Sequence, residues 1–161
     1  LIDLIRKREF GAGDTILFRG EGVKLESTPE GAVSLAGANL GDHEPGADLR
    51  PVVERYLWRL AARELPLRVS ELADRHSLTV RRISIRNQRS RWGSCSRRAT
   101  ISLNWRLIQT PPCVCDYIVL HELMHLRQMN HSPRFWAEVE RVCPRWREAE
   151  RWLKQHSSLL R

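Results

Sequence analysis

Apolar residues fall along the chain in two periods, and the change from one to the other divides it. In residues 1–47 they come as short clusters, Thr15-Ile-Leu-Phe18, Val23-Lys-Leu25 and Val33-Ser-Leu35, broken by Gly, Pro and Asp. That pattern predicts short strands and hairpins. After the turn-forming run Gly41-Asp-His-Glu-Pro-Gly46, residues Leu49, Val52, Val53, Tyr56, Leu57 and Leu60 recur at helical spacing behind Asp48, a residue suited to cap a helix. A boundary is expected near residue 45, with a β-rich N-terminal region over 1–47 and a second domain over 48–161. Pro66 should kink or end the helix, leaving a second helical piece with Val69, Leu72 and Ala73 before His76-Ser77.

Alternation then takes over in Val80–Arg86 and Ala99–Leu103, two strand-like runs separated by the polar loop Asn87–Arg98. A helix is expected from about Pro112 to Met129, followed by two more that open with proline in the first turn, at Pro133 behind the cap Ser132 and at Pro144. Together these elements predict an α+β fold. A small twisted sheet would pack beside the 112–129 helix, and two C-terminal helices would close the back through Trp146, Trp152 and Leu153.

Composition narrows the class. The 161 residues, 42% hydrophobic and 29% charged, can bury a core without staples. No apolar run approaches the roughly 18 residues of a membrane span. The chain opens Leu1-Ile2-Asp3, without methionine and without a basic-then-apolar leader, so the expected compartment is cytoplasmic. Cys95, Cys113, Cys115 and Cys143 form no C-x-x-C pair and are expected to be reduced packing residues.

The net charge of +8 is concentrated: residues 75–115 hold nine arginines and no acid. Arg81, Arg82, Arg86, Arg89, Arg97 and Arg98 fall in that window and make nucleic acid a candidate partner. The plainer reading is a composition bias, 24 Arg against 3 Lys, with strand residues alternating out to solvent.

The chemistry is concentrated in Val119-Leu-His-Glu-Leu-Met-His-Leu-Arg-Gln-Met-Asn-His131. His121 and His125, four apart on a helix, lie about 40° apart around the axis, so two imidazoles can grip one metal ion. Catalytic zinc takes three protein ligands and leaves a fourth position for water. His131 is the candidate third ligand, provided the chain turns after His125; Asn130 tolerates the left-handed conformation such a turn can need. Glu138 and Glu140 on the next helix are the alternatives. Glu122 would act as general base on a zinc-bound water, the zinc bringing that water's pKa to about 7. H-E-x-x-H on a helix is a strong signal for this chemistry. His43, His76 and His156 have no spaced partner and read as solvent or packing residues.

Several linked motifs point the same way. Ser90-Arg-Trp-Gly-Ser-Cys95, Ile101-Ser-Leu-Asn104, Pro111, Tyr117–His125, Asn130-His-Ser132 and Phe135-Trp136 together resemble the YgjP-type zinc metallopeptidases, relatives of the SprT-like and WLM peptidases. The resemblance covers about residues 50–155. It implies a zincin-like fold, a polypeptide substrate, one Zn2+ per chain on His121, His125 and His131, and a catalytic Glu122. Metzincins share the ligand spacing but carry glycine where this chain has Gln128.

Arg91, Trp92 and Ser94 are expected to line the cleft above the zinc helix, with backbone edges there pairing an extended peptide. The alternative is that Trp92 packs in the core and Arg91 ties a loop to a helix end. Phe135 and Trp136 are expected to bury against the zinc helix. The rival functions are a protease recruited to nucleic acid through its arginines to cut bound proteins, and a non-catalytic zinc module. An open fourth coordination position and an intact Glu122 argue against the latter.

Overall fold

The computed structural model describes residues 9–160, so Leu1-Ile2-Asp3 and the rest of the first eight residues of the expected β-rich region lie outside it. Strands β1 (Thr15–Phe18), β2 (Glu21–Ser27), β3 (Ala32–Leu35) and β4 (Ala38–Asp42) form an antiparallel meander in chain order. The three apolar clusters are β1 to β3. No cluster announces β4, where Leu40 stands between Asn39 and Gly41.

The β1–β2 turn docks on the segment leading into the central helix. Gly20 there has φ +84°, and a Cβ on it would stand 2.5 Å from Pro111 Cγ, so both backbone conformation and space require glycine. Its N–H donates to the Gln109 carbonyl (2.8 Å), and Gln109 Nε2 donates to that of Leu17 (2.9 Å).

Helix α1 spans Arg50–Arg75. Asp48 Oδ1 accepts from the backbone N–H groups of Arg50 and Phe10, both at 2.9 Å, and so serves the first turn from one residue before its formal cap, Leu49. The helix runs through Pro66 instead of ending there. Pro66 removes one backbone donor, yet Leu65, Val69 and Leu72 continue the buried stripe of Val53, Leu57, Leu60 and Ala61. That shared burial outweighs the roughly 3 kcal/mol that an interior proline costs.

Strands β5 (Arg82–Arg86), β6 (Gly93–Cys95) and β7 (Thr100–Asn104) make a second sheet in the order β5-β7-β6, with β5 parallel and β6 antiparallel to β7. β6 lies inside the stretch expected to be a polar loop. Three residues of Gly, Ser and Cys carry no hydrophobic period, and only pairing with β7 makes them a strand. Ile83, Ile85, Ile101 and Leu103 face inward. Ser84 and Ser102, in register, share the outward face, with their Oγ atoms 2.9 Å apart.

A 3-10 turn, Trp105–Gln109, leads to α2 (Pro112–Met124), α3 (Pro133–Val142) and α4 (Trp146–Leu160). α2 is apolar nearly all round, with Val114, Tyr117, Ile118, Val119, Leu120, Leu123 and Met124 buried, so it sits in the middle of the molecule. β6, α1, α3 and α4 pack around it. Arg68 Nε and Nη2 grip the two oxygens of Asp116 at 2.7 and 2.6 Å and tie α1 to α2. One core runs from Ile16, Leu25 and Leu35 of the meander through α1 to Leu103, Leu123 and Met124.

Leu153 of α4 is buried, and Trp146 and Trp152 pack against the core, as the expected closure requires. All four cysteines are free thiols. No helix among the described residues is long and apolar enough to cross a membrane.

Asn104 fastens the loop before β6. Fully buried, it donates through Nδ2 to the carbonyls of Gln88 (2.6 Å) and Arg91 (3.0 Å) and accepts at Oδ1 from Arg106 N (3.1 Å). Asn104→Ala leaves those buried groups unpaired and is expected to cost about 2–3 kcal/mol in urea unfolding. A loss below about 0.5 kcal/mol would mean water replaces the amide.

Candidate metal centre

α2 ends where its second histidine stands. His125, Leu126 and Arg127 donate to the carbonyls three residues back, at 3.2, 3.0 and 3.0 Å, tightening the last turn. The helix therefore stops at Met124, not at the expected Met129. The turn uses no left-handed residue: Asn130 is not among the positive-φ positions. Ser132 Oγ accepts from Phe135 N (3.4 Å) and restarts the chain as α3, as its sequence predicts.

This reversal brings His121, His125 and His131 together, with one ligand atom of each within 4.8 Å of the others. His121 Nε2 and His131 Nε2 are 3.2 Å apart. Two nitrogens on a tetrahedral zinc stand about 3.3 Å apart, so the donor set fits such an ion. Hydrogen bonds also engage the Nδ1 atoms of His121 and His125, on the ring side opposite Nε2. His125 Nδ1 donates to the Gln128 carbonyl at 3.0 Å. Tyr117, one turn before His121 on α2, donates its hydroxyl to Glu150 Oε1 of α4. Its oxygen is then left to accept from His121 Nδ1, 3.2 Å away. Burial, first, and then His125 and His131 hold His121 down at about 4, so it is neutral at physiological pH. His125 is lowered too, chiefly by burial.

Phe135 forms the floor of the cluster. Fully buried, it stacks on His125 (4.3 Å between ring centroids, 16° between planes) and meets His121 and His131 edge-on, each at 4.9 Å. Trp136 is half-buried, stacked between His131 and Trp146. The alternative ligands point elsewhere: Glu138 is held by Arg127 and Arg141, and Glu140 by Trp146 Nε1 and Arg147.

Glu122 lies under β6. A Cβ on Gly93 would stand 3.0 Å from Glu122 Cγ and 3.2 Å from Oε1, so glycine lets the strand pass directly over the carboxylate. Burial raises the Glu122 carboxyl from its ordinary 4.5 to about 7, and the Arg91 charge opposes that rise. Arg91 is exposed and Trp92 half-buried at the entrance to β6. Ser94, between Gly93 and Cys95, points to the outer face beside Ser102, so the strand turns the Gly93 backbone and the Cys95 side chain to the Glu122 side, where burial first and then the Glu122 charge push the Cys95 thiol up to about 11.

Glu150 and the Gln128 carbonyl escaped the sequence reading. Tyr117 stands there only as the first residue of the Tyr117–His125 motif, and nothing in the pattern singles out Glu150, which lies 33 residues from Tyr117. The remaining histidines behave as packing or solvent groups: His156, for example, stacks on Trp152 and bonds its carbonyl.

An α+β fold with this imidazole cluster on and after its central helix defines the class as metallopeptidase. Residues 3–156 match the family model described as the YgjP-like metallopeptidase domain, and the chain belongs to that family. It is also similar to the crystal structure of the metallopeptidase zymogen of Pyrococcus abyssi abylysin, at 27% identity over 55% of this chain and 90% of that one, with a TM-score of 0.49. Among curated proteins none matches.

The raised Glu122 carboxyl makes a prediction for the metal-free chain. Between pH 4.5 and about 7 the folded chain keeps a proton that the unfolded chain has released, so this group's contribution to stability falls as pH rises. Glu122→Gln should therefore gain on the order of 1–3 kcal/mol over the parent at pH 8 and nothing at pH 4. Urea unfolding at the two pH values checks this; equal stability at pH 8 would mean the carboxylate is solvated.

Proposed function

We propose that the chain is a zinc-dependent endopeptidase in which His121, His125 and His131 hold the metal and Glu122 is the general base. The place of Glu122 carries this reading: 7% exposed, on the turn between two converging imidazoles, beneath an edge strand, with its carboxyl at about 7. A base of that strength matches neutral operating pH. Bound on the three imidazoles, zinc would supply a Lewis acid that acidifies water and polarises the scissile carbonyl. Glu122 takes the proton of the attacking water as its oxygen bonds the carbonyl carbon, then passes it to the departing amine nitrogen as the C–N bond breaks.

β6 offers the substrate a backbone to pair with. Trp92, Ser94 and Ser96 are the positions hydrogen-bonded to β7, which directs the N–H and C=O of Gly93 and Cys95 to the free edge. An extended polypeptide added there would run over Glu122. Arg91 and Trp92 would flank it, while Ser94, its main chain bonded to β7 and its side chain on the outer face, would act only by holding the edge in place. All of this machinery lies within 48–161, the segment we assign as the peptidase domain, with 1–47 a β-rich attachment. The four free thiols support a cytoplasmic setting.

Metal analysis beside a casein assay tests the proposal. One zinc per chain is expected, kept in Glu122→Gln with cleavage lowered about 10²–10⁴-fold, and lost in His131→Ala. Zinc retained in His131→Ala would place the third ligand elsewhere, and undiminished cleavage by Glu122→Gln would remove it from the chemistry.

A second reading rests on the arginines. Several arginines elsewhere pair with acids, as in Arg19–Glu64, Arg50–Glu54, Arg127–Glu138 and Arg145–Glu148. Among the described residues, Arg81, Arg82, Arg86, Arg89, Arg97 and Arg98 are exposed and in no ion pair. Arg82 and Arg86 flank the outward Ser84, on the face away from Glu122, so nucleic acid held there would leave the cleft open. Replacing Arg82 and Arg86 by Ser is expected to weaken DNA binding and to flatten the slope of log K against log salt by about 1.4–1.8. Equal binding by the double variant would reject this face.

A further inference from the structure

Glu150 is the one acid of α4 bonded to a group that touches the imidazole cluster. Its Oε1 accepts the Tyr117 hydroxyl, and Tyr117 in turn meets His121 Nδ1 at 3.2 Å. Tyr117 is fully buried and sets its ring edge-on to His121, with 5.8 Å between centroids and 81° between planes. Neither ring has room to turn, because Phe135 and Trp136 enclose His121 on other sides, at 4.9 and 5.6 Å. A phenol between an imidazole and a carboxylate can donate in only one direction at a time. The carboxylate accepts and has no proton to give, so the hydroxyl proton goes to Glu150 and the phenol oxygen accepts from the imidazole N–H.

We propose that Glu150, acting through Tyr117, is the positioning residue of the metal site: it fixes the tautomer and orientation of His121 so that Nε2 presents its lone pair to the ion. The proposal rests on the zinc reading above. It gives α4 a part in metal binding that no residue of α4 plays by touching the ion, and it sets His121 apart from His125, whose Nδ1 is held by the main chain at Gln128. Outer partners of this kind typically change metal affinity 10–100-fold when lost.

The test uses the full chain as wild type, Tyr117→Phe, Glu150→Ala and Glu150→Gln. Zinc affinity is measured by competition with a chromophoric chelator, and thermal melting of each metal-free protein establishes that it folds. Tyr117→Phe and Glu150→Ala are expected to bind zinc about 10–100-fold more weakly, and the double variant no more weakly than Tyr117→Phe alone. Glu150→Gln, whose amide oxygen still accepts the hydroxyl, should restore most of the affinity. The His121 ring nitrogens, read by 15N NMR in the metal-free wild type, should show Nδ1 protonated and Nε2 bare, and this preference should be lost in Tyr117→Phe. Affinity within twofold of wild type in a folded Tyr117→Phe would overturn the relay while leaving the three-histidine site intact. Wild-type zinc binding that His131→Ala does not weaken would instead overturn the site itself, and the relay with it.

Discussion

The reversal of the chain between His125 and Ser132 is the constraint on which the rest of the molecule turns. Two imidazoles four residues apart come for nothing on a helix, but the third has to arrive from outside it. A helix continued to residue 131 would carry that histidine well over a turn along the axis and away from the other two. The three successive i→i+3 bonds that end α2 tighten and stop it at the second imidazole. Ser132 then caps α3 immediately, and α3 delivers Phe135 under all three rings. Turn, cap and floor form one unit, and each is within fifteen residues of His121 in sequence.

Around that unit the protein spends stability on chemistry. Glu122 is buried, and its surroundings disfavour the charged form that the proposed role of base requires. The close approach of β6, allowed by the missing side chain at Gly93, helps cover the carboxyl. The same approach places a free strand edge above it. One glycine therefore serves both the burial of the carboxyl and, on the proposed reading, the track along which a peptide would lie.

Much of the architecture could be read from apolar spacing. The first three strands, the long helix behind Asp48, strands β5 and β7, and the helices restarted by Pro133 and before Trp146 all have a hydrophobic period and a recognisable start. Elements without such a period were invisible: β4 with its single leucine, and β6 with none of the usual strand residues. Pro66 misled in the other direction, because local backbone chemistry predicts a break that the buried stripe of α1 overrides.

For the site, the sequence by itself determined that His121 and His125 share one helix face with Glu122 between them, because helical geometry is local and a four-residue spacing has one meaning on a helix; that His131, and not Glu138 or Glu140, joins them came from the fold. It also placed the arginines in one acid-free segment. Only the tertiary structure decided which partners complete those groups. Gly93 reaches Glu122 from 29 residues upstream, and Glu150 reaches His121 through Tyr117 from a helix at the other end of the domain. Neither pairing leaves a period in the sequence. Each depends on how layers stack around α2, and stacking is settled by the whole buried surface and not by any one segment of it.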